Sequence, residues 1–171
     1  MFKWELWMNN EEICRKNFEE YLKKGVIRKE EEKQDLSKSH LRKTDYNLDF
    51  INYLLAEKRF YDWIIVGCYY AVYHAALALL SIKGYSSKKH QATLCGLIHL
   101  YYVPGYLDKE DIALVAKSSL EKEDVSYFVE AKNKREIASY GISKEFNKNE
   151  AQMLKVKTIL FVNKVKSILE R

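Results

Sequence analysis

Proline occurs once and glycine six times in 171 residues, too little turn chemistry for a fold of many strands. That scarcity favours long helices joined by short connections. Cysteine is also sparse. Cys14, Cys68 and Cys95 form no CxxC pair, and the odd count predicts reduced, buried thiols in a cytoplasmic protein. The opening MFKWELWMNN lacks the continuous apolar run of a secretion signal, since Glu5 interrupts it. There is no GxxxxGK[ST], no GxGxxG and no HExxH, so neither a phosphate-cradling loop nor a helical zinc motif is expected. Cys95 and His99 lie one helical turn apart, but a closed metal site needs two further ligands, and a buried thiol beside a surface histidine is the better reading. No metal and no cofactor is expected.

What is present in quantity is apolar and charged residues, 47% and 31%, the balance of one globular domain with a solvated surface. The longest uncharged run lies between Asp62 and Lys83. Within it Trp63, Val66, Tyr70, Tyr73, Leu77 and Leu80 fall on one helical face, and Ile65, Tyr69, Val72, Ala76 and Leu79 on a second. A helix apolar all round must be surrounded by protein or lipid. The run is about 20 residues, long enough to span a bilayer, yet its tyrosines, His74, Gly67 and Ser81 make it too polar for a typical span, so no membrane is expected. Gly67, Ala71, Ala75 and Ala78 form a strip of small side chains along which another helix can approach closely.

The remaining chain reads as helices around this one. Asn9 or Asn10 caps a helix with Glu11 and Glu12 in its first turn, ending at Gly25, with the tryptophans ahead of it packed back on the core. Arg28 to Lys58 reads as one long helix, with an interruption allowed near Ser37 to Ser39, whose charged early part projects beyond the core. Its inward positions are Leu41, Leu48, Ile51, Leu54 and Leu55. Tyr85 to Lys89 is a polar connection, and His90 to Val103 a shorter helix ended by Pro104 and Gly105. Asp108 to Tyr140 follows, with Ile112, Val115, Ala116, Leu120, Tyr127, Phe128 and Ala131 inward. A last helix starts at Asn147 or Asn149 and buries Ala151, Leu154, Thr158, Phe161, Val165 and Ile168. The fold class is therefore all-α, an antiparallel bundle of five or six helices. Residues 1–44 are read as an N-terminal helical extension and 45–171 as the bundle domain.

Charge is unevenly distributed. From Ala131 onward ten Lys or Arg stand against four Asp or Glu, so the chain's net +5 resides in its last quarter. Such a surplus suits phosphate or an acidic partner, or is a lysine-decorated solvated surface. Two histidines are singled out. His74 lies inside the apolar helix, where an imidazole satisfied by a neighbour is expected, and His90 is placed to pin the start of the next helix.

Three blocks carry a family resemblance: CYYAVYHAALALLSIKGY, KKHQATLCGLIHLYYVPG and REIASYG. A paired tyrosine (Tyr69, Tyr70), an aromatic-His-Ala-Ala step (Tyr73 to Ala76), a downstream His90, and Arg135, Ala138, Tyr140 and Gly141 resemble the small stand-alone members of the HEPN domain family, over roughly Asp45 to Leu169. The resemblance implies a four-helix up-and-down core, a homodimer, and association with nucleotide or RNA, often beside a minimal nucleotidyltransferase in toxin–antitoxin or defence systems. Many relatives are ribonucleases in which four to six residues separate an Arg from a following His. Here Arg135 is followed by Tyr140, whose ordinary pKa of about 10 makes it a poor base near neutrality. The candidate ligand or phosphate site is then Arg135, Tyr140, Lys132 and Lys134 with His74 and His90, predicted to bind without catalysis. A metal-independent endoribonuclease using Arg135, and a purely structural dimerising subunit, are the alternatives.

Overall fold

The computed structural model describes residues 3–31, 33–118 and 147–170. Helices α1 (Lys3–Asn9) and α2 (Glu11–Lys23) lead into strand β1 (Ile27–Lys29). Next come α3 (Lys33–Ala56), α4 (Tyr61–Ile82), strand β2 (Tyr85–Ser87) and α5 (His90–Leu97), which runs on through a π-helical turn (Ile98–Tyr102). Residues 109–118 form α6, and α7 spans Lys148–Leu169. The all-α reading holds, apart from the two short strands.

The uncharged run forms α4, the centre of the molecule. It is long and apolar enough to cross a membrane by length and composition, but most of it is buried against other helices. Its small-residue strip is where α3 lies. A β-carbon on Gly67 would sit 2.8 Å from Ile51 Cγ1, so only glycine lets the two helices come this close. Ser37 Oγ donates to the Ala78 carbonyl at 3.0 Å, and Thr44 Oγ1 reaches the Ala71 carbonyl at 3.4 Å. These hydroxyls extend the pairing along the length of α3, without a break at Ser37 to Ser39. The other side of α4, with Ile65, Tyr69, Val72, Ala76 and Leu79, is fully covered.

One expectation fails on that helix. Trp63 and Tyr70 are partly exposed, at 47% and 39%, so this edge of α4 is less deeply buried than its apolar pattern implies.

A second correction concerns Arg28 to Lys58. Of the RKEEEKQ stretch, Arg28 to Glu31 do not extend α3 as a projecting helix, and only Lys33 and Gln34 belong to it among the described residues. Ile27, Arg28 and Lys29 pair antiparallel with Ser87, Ser86 and Tyr85, and Ser86 Oγ bonds Glu30. The supposed polar connection after α4 is thus the partner strand. Gly25 (φ +64°) and Gly84 (φ +80°) turn the chain into the two strands in a conformation that β-carbons disfavour.

This ribbon fastens α1 and α2 onto the face of α4 and α5. Trp7, Cys14, Phe18 and Ile27 belong to the same buried cluster as Val72, Leu79 and Leu97, so the N-terminal helices complete the bundle's own core. All three cysteines are free and buried, and Cys14 and Cys95 each direct Sγ at the other's carbonyl at 3.6 Å. Burial pushes the Cys68 thiol up to about 11, which leaves it unreactive.

The helix starts follow the sequence closely. Asn10 Oδ1 accepts from the Ile13 amide at 3.0 Å. Asn147 and Glu150 form a reciprocal capping box, each accepting a backbone amide of the other at 3.0 Å. Asp108 Oδ1 caps α6 through the amides of Glu110 and Asp111. Ile112, Val115 and Ala116 of α6 are buried as expected, whereas Leu120, Tyr127, Phe128 and Ala131 lie outside the described residues. From α7, Ala151, Thr158, Phe161 and Val165 are buried, with Leu154 and Ile168 partly so.

Candidate functional site

The inward stripe of α3 carries Ser37, His40 and Thr44 at three- and four-residue spacing, which puts an imidazole against α4. There His40 Nδ1 and His74 Nδ1 approach to 3.1 Å, with ring centroids 5.3 Å apart. A hydrogen bond across this gap requires one ring to carry its proton on Nδ1 while the other presents its Nδ1 lone pair. Burial pulls the His40 pKa below the ordinary imidazole value, so the neutral form dominates at pH 7.

One residue before His74, Tyr73 turns its ring onto His90 at a centroid distance of 4.0 Å and an interplanar angle of 32°. His90 is the first residue of α5, and exposed Lys88 and Lys89 immediately precede it. Burial pushes the Tyr73 hydroxyl upward, partly offset by its bond with Thr93. His40, His74, Tyr73 and His90 are each half-buried, so the cluster is held by the fold while its edge stays open to solvent. Chemically it offers two stacked rings, a proton-sharing imidazole pair and adjacent cations.

The structure thus brings His74 and His90 together through Tyr73. Arg135, Tyr140, Lys132 and Lys134 lie outside the described residues. His40 was missed by sequence reasoning, although its place between Ser37 and Thr44 on the apolar stripe is a legible signal. His99 also needs correction, because it is not a surface histidine: its ring packs 4.8 Å from Phe18, and its Nδ1 is buried with no partner among the described residues. No group of three or more metal-ligating side chains occurs among the described residues.

Part of the basic surplus near the C-terminus is engaged. Lys164 bridges Asp108 at 2.7 Å and Asp111 at 2.6 Å, and Lys166 reaches Asp45 at 2.6 Å. A groove of about 670 Å³ runs between α4, α6 and α7, floored by Ile65, Tyr69, Leu154 and Phe161. Its rim alternates carboxylates with lysines, which gives an anion no net attraction.

Acidification provides a test of the imidazole cluster. Folding depresses the His40 and His99 pKa values, so the stability gained by keeping these rings neutral is present above about pH 6.5 and lost as pH falls through the folded-state values. The urea midpoint should therefore drop between about pH 7.5 and about pH 5. His40→Gln should shrink that slope without removing it, because His99 titrates in the same sense. A slope identical in the variant would show that His40 is not held neutral by the fold.

Comparison with known proteins agrees with this architecture. The family model described as HEPN domain matches residues 37–168, from the first turns of α3 to the end of α7. No curated protein and no solved structure gives a significant match. With the match covering most of the chain and the helical bundle it requires in place, the protein belongs to the HEPN domain family, in general a family of nucleotide- or RNA-related modules.

Proposed function

We propose that this HEPN chain is a binding module for nucleotide or RNA. It acts as a cytoplasmic homodimer without catalysis of its own, beside a small nucleotidyltransferase in a toxin–antitoxin or defence setting. The observation that carries this reading is the half-buried cluster of Tyr73, His90, His74 and His40, whose stacked rings suit a base and whose neighbouring lysines suit a phosphate. Arg135 adds a bidentate phosphate donor in the sequence, and Tyr140 stands where the nucleases of the family carry histidine.

Fluorescence anisotropy with short single-stranded RNA and with mononucleotides is the test. Affinity should fall steeply with added salt, and Arg135→Ala and His90→Ala should each weaken binding by about tenfold or more. Binding that ignores salt and both substitutions, with no change in affinity for a nucleotidyltransferase partner, would refute the role.

One observation favours a second reading, a metal-independent endoribonuclease using Arg135. The His40 and His74 pair supplies a neutral imidazole near pH 7, the kind of base that Tyr140 cannot be. Cleavage of RNA in the presence of a chelator, abolished by both Arg135→Ala and His74→Ala, would establish it. Cleavage that survives both substitutions would belong to a contaminant.

A further inference from the structure

The two stretches of chain that pair in the β1–β2 ribbon hold no carboxylate: none occurs between Glu20 and Glu30, and none between Asp62 and Asp108. The first stretch carries Lys23, Lys24, Arg28 and Lys29, the second Lys83, Lys88 and Lys89, and all seven are exposed. Folding therefore brings together cations that the sequence keeps about sixty residues apart, with no anion from either stretch to neutralise them. Two are engaged within the fold. Lys24 pairs with Glu20, and Lys83 Nζ lies 5.7 Å from the centre of the Tyr101 ring. Arg28, Lys29, Lys88 and Lys89 enter no ion pair among the described residues.

Strand register says which of these cations act together. Ile27 pairs with Ser87 and Arg28 with Ser86, and opposed residues share a face while successive ones alternate. Ile27 and Ser87 are buried, so Arg28, Ser86 and, one step on, Lys88 fall on the outer face. Arg28 and Lys88 are then diagonal neighbours, with β-carbons about 7–8 Å apart. Arg28 spends only Nε within the fold, on the Gly25 carbonyl at 3.3 Å. Glu30 shares this face two residues beyond Arg28, and its carboxylate already accepts from Ser86 Oγ. On neighbouring α2, Glu12, Glu19 and Glu20 are paired with Lys16, Arg15 and Lys24. Two residues after Lys88, His90 opens α5 with its ring against Tyr73. Arg28, Lys88 and the stacked rings thus lie in sequence from the ribbon to the imidazole cluster.

That order selects among anionic ligands. A nucleotide whose base lies on the rings has its own phosphate within reach of Lys88 or Lys89. Arg28, a further 7–8 Å or so along, meets a phosphate only if another follows, and a following phosphate belongs to a strand. A duplex hides its bases from the rings, and an acidic peptide uses the cations but leaves the rings idle. Arg28 also precedes the region matched by the family model, which begins at residue 37, so β1 is an addition made by this chain's own N-terminal part.

We propose that the β1–β2 ribbon is the strand-tracking arm of the ligand site, where Arg28 and Lys88 take successive phosphates of a single-stranded RNA whose base stacks at Tyr73 and His90. The inference rests on the nucleotide- or RNA-binding reading and narrows its ligand from a mononucleotide to a strand.

Fluorescence anisotropy of the full chain with labelled adenosine monophosphate and with a single-stranded RNA of about eight nucleotides tests this. The strand should bind about tenfold or more tighter than the mononucleotide. Arg28→Gln should weaken the strand about fivefold and flatten its plot of log affinity against log salt by about 0.7, while the mononucleotide is unaffected. Arg28→Lys should restore the salt slope. Lys16→Gln on α2, an exposed cation away from the ribbon, should change neither ligand. Equal affinity for the two probes, an unchanged slope in Arg28→Gln, or equal loss of both probes in that variant would overturn the tracking arm and leave the ligand site standing. An RNA duplex that binds as tightly as the strand would overturn it too. Failure of both probes to bind the wild type would refute the ligand site and the arm together.

Discussion

Replacing Trp7 with alanine should destabilise the protein by about 3–5 kcal/mol, seen as a large fall in the urea midpoint with one cooperative transition retained. Trp7 is 1% exposed and lies edge-on to Tyr21 at 6.4 Å, with Lys3 Nζ 5.3 Å from its ring centre. It shares its cluster with Phe18, Val72 and Leu97, so truncation opens a void between α1 and the central helices. Against a typical total of about 5–15 kcal/mol this is a large fraction. A separable extension over 1–44 would behave differently: the substitution would melt α1 and α2 alone and leave the main transition in place. A loss below about 1 kcal/mol, or two resolved transitions, would show that the N-terminal helices are an appendage.

Phe161→Ala should cost a comparable amount, about 3–5 kcal/mol by denaturant unfolding. Phe161 is 1% exposed and is the largest of the residues by which α7 enters the core, beside Val162 and Val165. Its ring also floors the groove between α4, α6 and α7, so the vacancy would open toward solvent, and the lower end of that range is expected. Phe161→Leu, which keeps most of the volume, should cost less than about 1.5 kcal/mol. Equal losses for the two variants would mean that aromatic geometry, and not filled volume, fixes α7.

The parts of this fold that were legible in the sequence are those fixed by local periodicity. The uncharged run gave α4, the small-residue strip gave its contact with α3, and Asn10, Asn147 and Glu150 gave helix starts. The strands escaped because their pairing is non-local. Ile27 meets Ser87 across sixty positions of chain, and RKEEEKQ by itself has the composition of a helix. The π-helical turn at Ile98–Tyr102 also escaped, since apolar spacing does not reveal that the Val103 amide reaches back to the Ile98 carbonyl. In the candidate site, His74 and His90 stood out as histidines next to apolar runs, whereas His40 was hidden among charged residues of α3 and showed itself only when α4 lay against it. The exposure of Trp63 and Tyr70 was illegible for a related reason. Periodicity identifies apolar faces and cannot say which of them the chain itself covers.

The contact between Cys14 and Cys95 joins residues 81 positions apart, and it has a bearing on biosynthesis. At roughly 5–20 residues per second, α2 leaves the ribosome about 4–16 s before the helix that shelters Cys14 and Phe18 has been made. During that interval the nascent chain carries an uncovered sticky segment, which makes α2 a natural client for a ribosome-associated chaperone.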